Sequence, residues 1–440
     1  MRRLAATEVE LDIEISESDL QQARERAFHK LVKRYRLPGF RPGRVPRRIF
    51  ERQIGTDTIE RQAVEDVVPE AYNNALKEHS LEPVDRPTID LERAAEGKKL
   101  RVKATVAVRP EVVLATYRGV KVERPAVHVS EDEVERSLQA LRRRAATLEP
   151  VWEGGIENGD VVTLDYLGKI DGETFPGGTA VNHTTEVTPD KFIPGFADQL
   201  RGATPGEKRT VSVAFPPNYH AQHLAGKQAV FDVTIQEIKR PNMPELDQSF
   251  VEQVSDKHSL EALRDDIRRR LEAVSVAQSR EAIQKQILSA LLGAHEFALP
   301  PVLVDREVDN LLADAKGYMQ RIERPWEEYL QAKGPDEKGL RQEYRSEAER
   351  RVKTALLLEE IARAEKIDVT PADLERELDE LAGSYGRSRE AMIELIRRNT
   401  GFAPLIDSVR KQKTIDFLIQ NAELEEASQR ASEPVTTGAA

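Results

Sequence analysis

The stretch Gly39-Phe40-Arg41-Pro42-Gly43-Arg44-Val45-Pro46 carries the sharpest candidate chemistry in this chain of 440 residues. Its glycines and prolines, with Pro38 before them, keep it out of helix and sheet, because proline lacks an N–H and glycine is entropically costly to order. It must therefore be a loop, and a Phe at the tip of so short a loop has little of its own chain to bury it. Around it stand Arg24, Arg26, Lys30, Lys33, Arg34, Arg36, Arg41, Arg44, Arg47, Arg48 and Arg52, against Glu25 and Glu51. Cations in that density neutralise phosphates, and an aromatic among them can anchor a contact. The plainer alternative is a Pro/Gly connector whose arginines are solvated. These residues alone leave both readings open.

Other chemistries are poorly served. The chain has no cysteine, which removes disulfides, thiolate catalysis and Cys-based zinc sites. His220 and His223 are three apart with no third ligand at a recognisable spacing, so no metal is expected. His295-Glu296 lacks the second His of a zincin. Walker A, Gly-x-Gly-x-x-Gly and nucleophile-elbow patterns are missing, so neither an ATP cycle nor a cofactor is expected. A net charge of −11 argues against a general nucleic-acid binder while allowing a local basic patch. Glu8, Glu10 and Asp12 interrupt the start before any apolar run, so no signal peptide is readable. No apolar run approaches the ~20 residues of a membrane span. The expectation is a soluble cytoplasmic protein with no membrane partner.

The length implies two to four domains of about 100–200 residues each, and the pattern is a multi-domain α+β fold. Val9, Leu11, Ile13 and Ile15 alternate with acidic residues as a half-buried strand. Ser18 or Asp19 should cap a helix running through Arg36, and a second helix should run from Asp57 to about His79, with Ile59, Ala63, Val67 and Ala71 on one face. Strands at 88–91 and 100–108 complete a first domain, residues 1–115. A linker with a helical extension, 116–154, holds a strand at 120–123 and a helix opened by the Ser130…Glu133 capping box. From Asn158 the texture is that of an antiparallel sheet. Asn158-Gly159 and Asp171-Gly172 mark turns, and 161–170, 210–215 and 230–238 read as strands of a domain at 155–240.

Residues 241–425 have helical period, with Leu263, Ile267, Leu271 and Val274 on one stripe and Ile283, Ile287 and Leu291 resuming it. Pro300-Pro301 separates two helices, and further helices are expected at 341–364, from Thr370-Pro371, and at 404–421. The polar end, 426–440, should be disordered. Periodicity does not choose between a closed bundle and an open scaffold with exposed apolar patches.

Every fixed position of the loop fits Gly-Phe-Arg-x-Gly-x-x-Pro, and the stretch resembles the ribosome-docking signature of trigger factors. That resemblance implies binding beside the peptide exit tunnel, to a large-subunit ribosomal protein and nearby rRNA. Phe40 and Arg41 would be the main contacts, and Gly39 and Gly43 would shape the loop. Pro42 stands where some members carry a basic residue, and Arg44 could replace that contact.

The sheet region resembles FKBP-type prolyl isomerases over most of 159–238. The matching pieces are Leu164-Asp165-Tyr166-Leu167-Gly168, Asp171-Gly172-Glu173-Thr174-Phe175, Phe192-Ile193-Pro194-Gly195-Phe196, Pro217-Asn218-Tyr219-His220 and Val230-Phe231-Asp232-Val233. The resemblance implies a pocket of Tyr166, Phe175, Phe192, Ile193, Phe196, Tyr219 and Phe231. Ile193 would offer its backbone N–H to the substrate, and Phe196 would floor the pocket. Two positions depart from the pattern, Pro176 for an acidic residue and His183 for an aromatic, and both would weaken catalysis. The alternative is that these aromatics are the core of a small barrel.

The order of the three regions is that of a trigger factor. It implies an ATP-independent chaperone that binds nascent and unfolded polypeptides, assists folding and export, and pairs as a homodimer off the ribosome. Its helical part would be the body and two arms of a cradle, holding clients by several weak contacts. The competing readings are a free-standing FKBP-type foldase and a holdase whose isomerase pocket is inactive.

Overall fold

The computed structural model describes residues 1–38, 40–41, 43–93, 100–219, 221, 224–333, 336–399 and 401–426. Gly39, the His220/His223 pair and all of the expected tail except Glu426 lie outside the described residues. The chain divides into two compact units, one of residues 1–123 with 283–425 and one of residues 124–282.

In the first unit, Arg2–Ala5, Glu8–Ile15, Leu100–Ala107 and Thr88–Arg93 form an antiparallel sheet in that order. The register sets Val9 opposite Val106, Leu11 opposite Ala104 and Ile15 opposite Leu100, so the period-two pattern puts one apolar face inward. Helices Glu17–Arg34 and Thr56–Glu78 supply the facing layer. Ala23, Ala27 and Ala63, all fully buried, leave no bulk between the packed layers. Ser16 rather than Ser18 or Asp19 caps the first helix, its Oγ accepting from the Asp19 N–H at 3.2 Å. The helix can start there because Ser16 is the first extended residue after the strand, and it places Glu17 and Asp19 in the first turn, where the helix dipole favours acids. A short helix, Arg47–Ile54, was not legible: eight residues give too few turns for a periodicity.

The same unit holds helices Pro301–Arg321, Trp326–Lys333, Glu337–Ala364, Pro371–Ser384, Arg389–Asn399 and Ala403–Gln420. Thr370 and Asp373 close a capping box at one of these starts. The helices do not share one core. Separate clusters form around Ile287, Leu357 and Leu418, around Val308, Leu312 and Leu340, and around Leu378, Ala382 and Met392. A cleft of about 940 Å³ opens among Leu288, Leu292, Leu303, Arg351 and Ala355. The helices are thus held by several small cores with a cleft beside them. Charge pairs tie the N-terminal sheet domain and the segment just after it to these helices: Arg109 to Glu359 at 2.6 Å, Arg363 to Glu82 at 3.1 Å and, from the following segment, Arg118 to Glu365 at 2.6 Å.

In the second unit, Thr147–Pro150, Gln228–Asn242, Val161–Ile170 and Glu173–Glu186 pair in that order, and Lys208–Ala214 pairs with Gln228–Asn242. All pairings are antiparallel. Helix Phe196–Leu200 buries Phe196, Ala197 and Leu200 in the core of the sheet. Helix Glu131–Arg144, with its Ser130/Glu133 capping box, packs Val134 and Leu138 against Phe250, Leu263 and Ile267. Among the described residues, no helix is long and apolar enough to cross a membrane.

Candidate functional site

The pocket begins with strand register. Strand Val161–Ile170 lies between Glu173–Glu186 and Gln228–Asn242, and it sets Gly168 directly opposite Phe231. A Cβ at Gly168 would stand 2.6 Å from the Phe231 ring, and one at Gly178 would stand 2.7 Å from Phe175. Missing side chains therefore make room for two aromatic rings. Phe231 is the hub. Its ring takes Phe196 edge-on at 5.2 Å and 81°, Phe175 at 6.1 Å and 85°, and Tyr166 at 6.2 Å and 66°. These are the T-shaped contacts that ring quadrupoles favour. Phe192 stacks on Phe196 at 5.1 Å, and Phe215 bridges Phe175 at 5.9 Å to Tyr219 at 4.8 Å.

The result is a cavity of about 330 Å³ that all seven residues named from sequence line: Tyr166, Phe175, Phe192, Ile193, Phe196, Tyr219 and Phe231. The size suits a proline ring with its flanking atoms. Gly195, in the left-handed region at φ +85, lets the chain turn into helix Phe196–Leu200. The Phe196 N–H donates to the Ile193 carbonyl at 3.0 Å. Among the described residues nothing accepts from the Ile193 N–H, so that donor is free for a carbonyl arriving in the pocket. Phe215 and Leu224 also line the cavity and were missed. Phe215 was findable, because Val211, Val213 and Phe215 alternate inward along one strand and its end. Leu224 sits in a loop with no period to betray it. Pro176 and His183 both reach the cavity, and His183 meets Tyr166 edge-on at 5.8 Å. His183 thus stands as an aromatic-like wall where the pattern departs.

The basic loop runs between Arg34 and Arg47. Gly43 takes φ +81, and its N–H donates to the Val32 carbonyl at 3.0 Å, which pins the loop back on the first helix. Val45 is buried beneath it. Phe50, fully buried, meets Phe28 at 5.8 Å and Tyr35 at 5.9 Å. On that base Phe40 remains 36% exposed, and Arg41 and Arg44 face solvent.

The cations divide into two groups. Arg24 is held by Glu60 and Glu17, both at 2.7 Å, and this pairing raises its guanidinium above the usual range. Arg26 pairs with Glu70, Lys30 with Asp66, and Arg47 with Glu25 and Glu51. The helix Thr56–Glu78 supplies three of these six partners, Glu60, Asp66 and Glu70, and counting acids near the loop in sequence missed those three. Lys33, Arg34, Arg36, Arg41, Arg44, Arg48 and Arg52 form no ion pair among the described residues. The free charge therefore gathers at the loop end of the domain.

The comparisons with known proteins fall on the same regions. Residues 1–141 match the family described as bacterial trigger factor protein, residues 259–420 match its C-terminus, and residues 153–236 match FKBP-type peptidyl-prolyl cis-trans isomerase. The trigger factor of Shouchella clausii is 38% identical over 94% of this chain and 95% of its own length. That of Geobacillus sp. strain WCH70 is 38% identical over 96% and 98%. A solved structure described as "Promiscuous Substrate Recognition in Folding and Assembly Activities of the Trigger Factor Chaperone" has TM-score 0.50 at 23% identity, over 95% of this chain and 98% of that one, and shares the fold. With relatives this similar along nearly the whole length, the chain belongs to the trigger factor family, chaperones that carry an FKBP-type peptidyl-prolyl isomerase domain.

Proposed function

We propose that the seven residues named above are the isomerase site, and that Phe40, Arg41 and Arg44 are the ribosome contacts, with Gly39 and Gly43 shaping their loop. The observation that carries the first assignment is the Phe231-centred aromatic cavity beside a free Ile193 N–H. Rotation about an X–Pro bond must give up amide resonance, a barrier of about 18–20 kcal/mol. The twisted amide carries less charge separation than the planar one, so a dry aromatic wall favours it over the ground state. The Ile193 N–H orients the substrate by one carbonyl, and Phe196 and Phe231 pack against the proline ring. No nucleophile, metal or cofactor takes part in this scheme.

Proline-limited refolding of a substrate protein tests the assignment. The full chain should accelerate the slow phase, which runs over tens to hundreds of seconds unaided, and Phe196→Ala should not. Equal rates for the two proteins would make the pocket an inactive remnant and leave the holdase reading.

The second assignment rests on an exposed Phe40 flanked by unpaired cations. Arg41 and Arg44 would meet rRNA phosphates while Phe40 seats on a large-subunit protein. By the family resemblance, residues 1–115 act at the ribosome, 155–240 as isomerase and 241–425 as the client-holding part. The same resemblance supports a cytoplasmic chaperone that receives nascent chains, assists export and pairs with a second copy off the ribosome. The several small cores and the 940 Å³ cleft of the helices suit scattered, weak client contacts. Sedimentation of the free protein with rising concentration reads the pairing, and a mass fixed at that of one chain would remove it.

A further inference from the structure

Among the described residues, the rim of the isomerase cavity carries ionic charge of one sign only. Among the described residues that line it, no side chain is a carboxylate. Its ionisable members are Tyr166, Tyr219, His183 and Lys191. Pro176 occupies the place where the isomerase pattern has an acid. Lys191 is exposed and forms no ion pair among the described residues. Its backbone is nonetheless fixed, because its N–H donates to the Thr188 carbonyl at 3.2 Å. The next residue, Phe192, is stacked on Phe196, and the free Ile193 N–H follows.

Two of the nearby carboxylates are directed elsewhere. Asp165 accepts from the Asn182 N–H and the Gln236 amide, and Asp232 is paired to Lys169. Each alternates along its strand with a pocket residue and so points to the opposite face of the sheet. Asp190, next to Lys191 in the chain, lies within reach of its charge, although it does not line the cavity.

From this rim of one charge sign we infer that Lys191 is a specificity residue, selecting prolyl substrates with an acidic residue immediately beside the proline. The inference rests on the isomerase reading of the pocket and deepens it. An ammonium beside a low-dielectric aromatic wall attracts a carboxylate more strongly than it would in open solvent. The contact is still solvent-facing, and exposed pairs set the scale, so the preference is about three- to fivefold in kcat/KM. It weakens as salt rises, since the screening length is only ~8 Å at 0.15 M. His183, on the same rim, offers no carboxylate to oppose Lys191.

The test compares peptides with Glu or Gln immediately before, and in a second series immediately after, one proline. Isomerisation is followed by NMR exchange with the full chain, with Lys191→Gln and with Lys191→Glu. The readout is the Glu/Gln ratio of kcat/KM within each protein, which cancels any loss common to both peptides. In at least one series the wild-type ratio should be about three to five at low salt and shrink at high salt. It should fall to about one in Lys191→Gln and below one in Lys191→Glu. A wild-type ratio of one in both series, or a ratio unchanged in Lys191→Glu, overturns the inference while leaving the isomerase intact. Failure to accelerate any peptide, including a Leu-Pro control, would instead overturn the isomerase reading on which it depends.

Discussion

The two candidate sites of this chain use aromatic side chains in opposite ways. In the isomerase cavity the rings hold one another: Phe231 is almost fully buried and touches three neighbours. In the basic loop a buried ring, Phe50, fixes the base so that Phe40 can stay exposed. Under the proposed assignments a residue of the first kind would serve fold and function together, and one of the second kind would serve a partner. Charge follows the same division. The cations under the loop that meet acids of the neighbouring helix belong to the fold, and those beyond their reach form no ion pair among the described residues, as the proposed phosphate contacts require.

Phe231→Ala should break this contrast most severely if it is wrong. It opens a core cavity, so urea unfolding should show a loss of about 3–5 kcal/mol, with isomerase activity gone. Phe40→Ala should stay within about 0.5 kcal/mol of wild type, as surface changes do. Comparable losses would mean that both rings are structural. Gly168→Ala comes next, because its Cβ must displace the Phe231 ring, at about 1–3 kcal/mol and with slower proline-limited refolding.

Among the cations, Arg24→Ala should cost on the order of 1 kcal/mol of stability and leave the salt dependence of ribosome binding as it was. Arg44→Ala should leave the melt unchanged and lower the slope of log K against log salt by roughly 0.7–0.9, one phosphate contact. The reverse pattern would interchange the paired and free groups.

The smallest effect concerns acid. The Arg209 guanidinium, with the Thr204 N–H, pulls the Glu207 carboxyl from 4.5 down to about 2. Its folded value lies below its unfolded one, so its contribution is full above pH 4.5 and is lost as pH falls towards 2. Glu207→Gln should therefore be less stable than wild type at pH 6 and converge with it near pH 2 in denaturant melts.

The isomerase pocket was the more legible of the two sites because its residues recur in a fixed order along strands. Register then brings that order to one place, as with Gly168 opposite Phe231. Strand Val161–Ile170 and the Ser130/Glu133 cap were readable from alternation and cap chemistry. What escaped depends on distance in space. Phe215 joins Phe175 across the cavity, and Glu60, Asp66 and Glu70 reach Arg24, Lys30 and Arg26 from a helix about 40 residues onward in sequence. The helix Arg47–Ile54 was hidden among the arginines because its one buried ring, Phe50, makes no stripe.

Ribosome co-sedimentation of the wild type and of the Phe40→Ala/Arg41→Ala double variant, at low and high salt, tests the docking account most directly. The wild type should pellet with ribosomes at low salt and be released as salt rises, while the variant stays in the supernatant with an unchanged unfolding curve. Equal pelleting of the two proteins, or a wild type that ignores ribosomes at low salt, would contradict it.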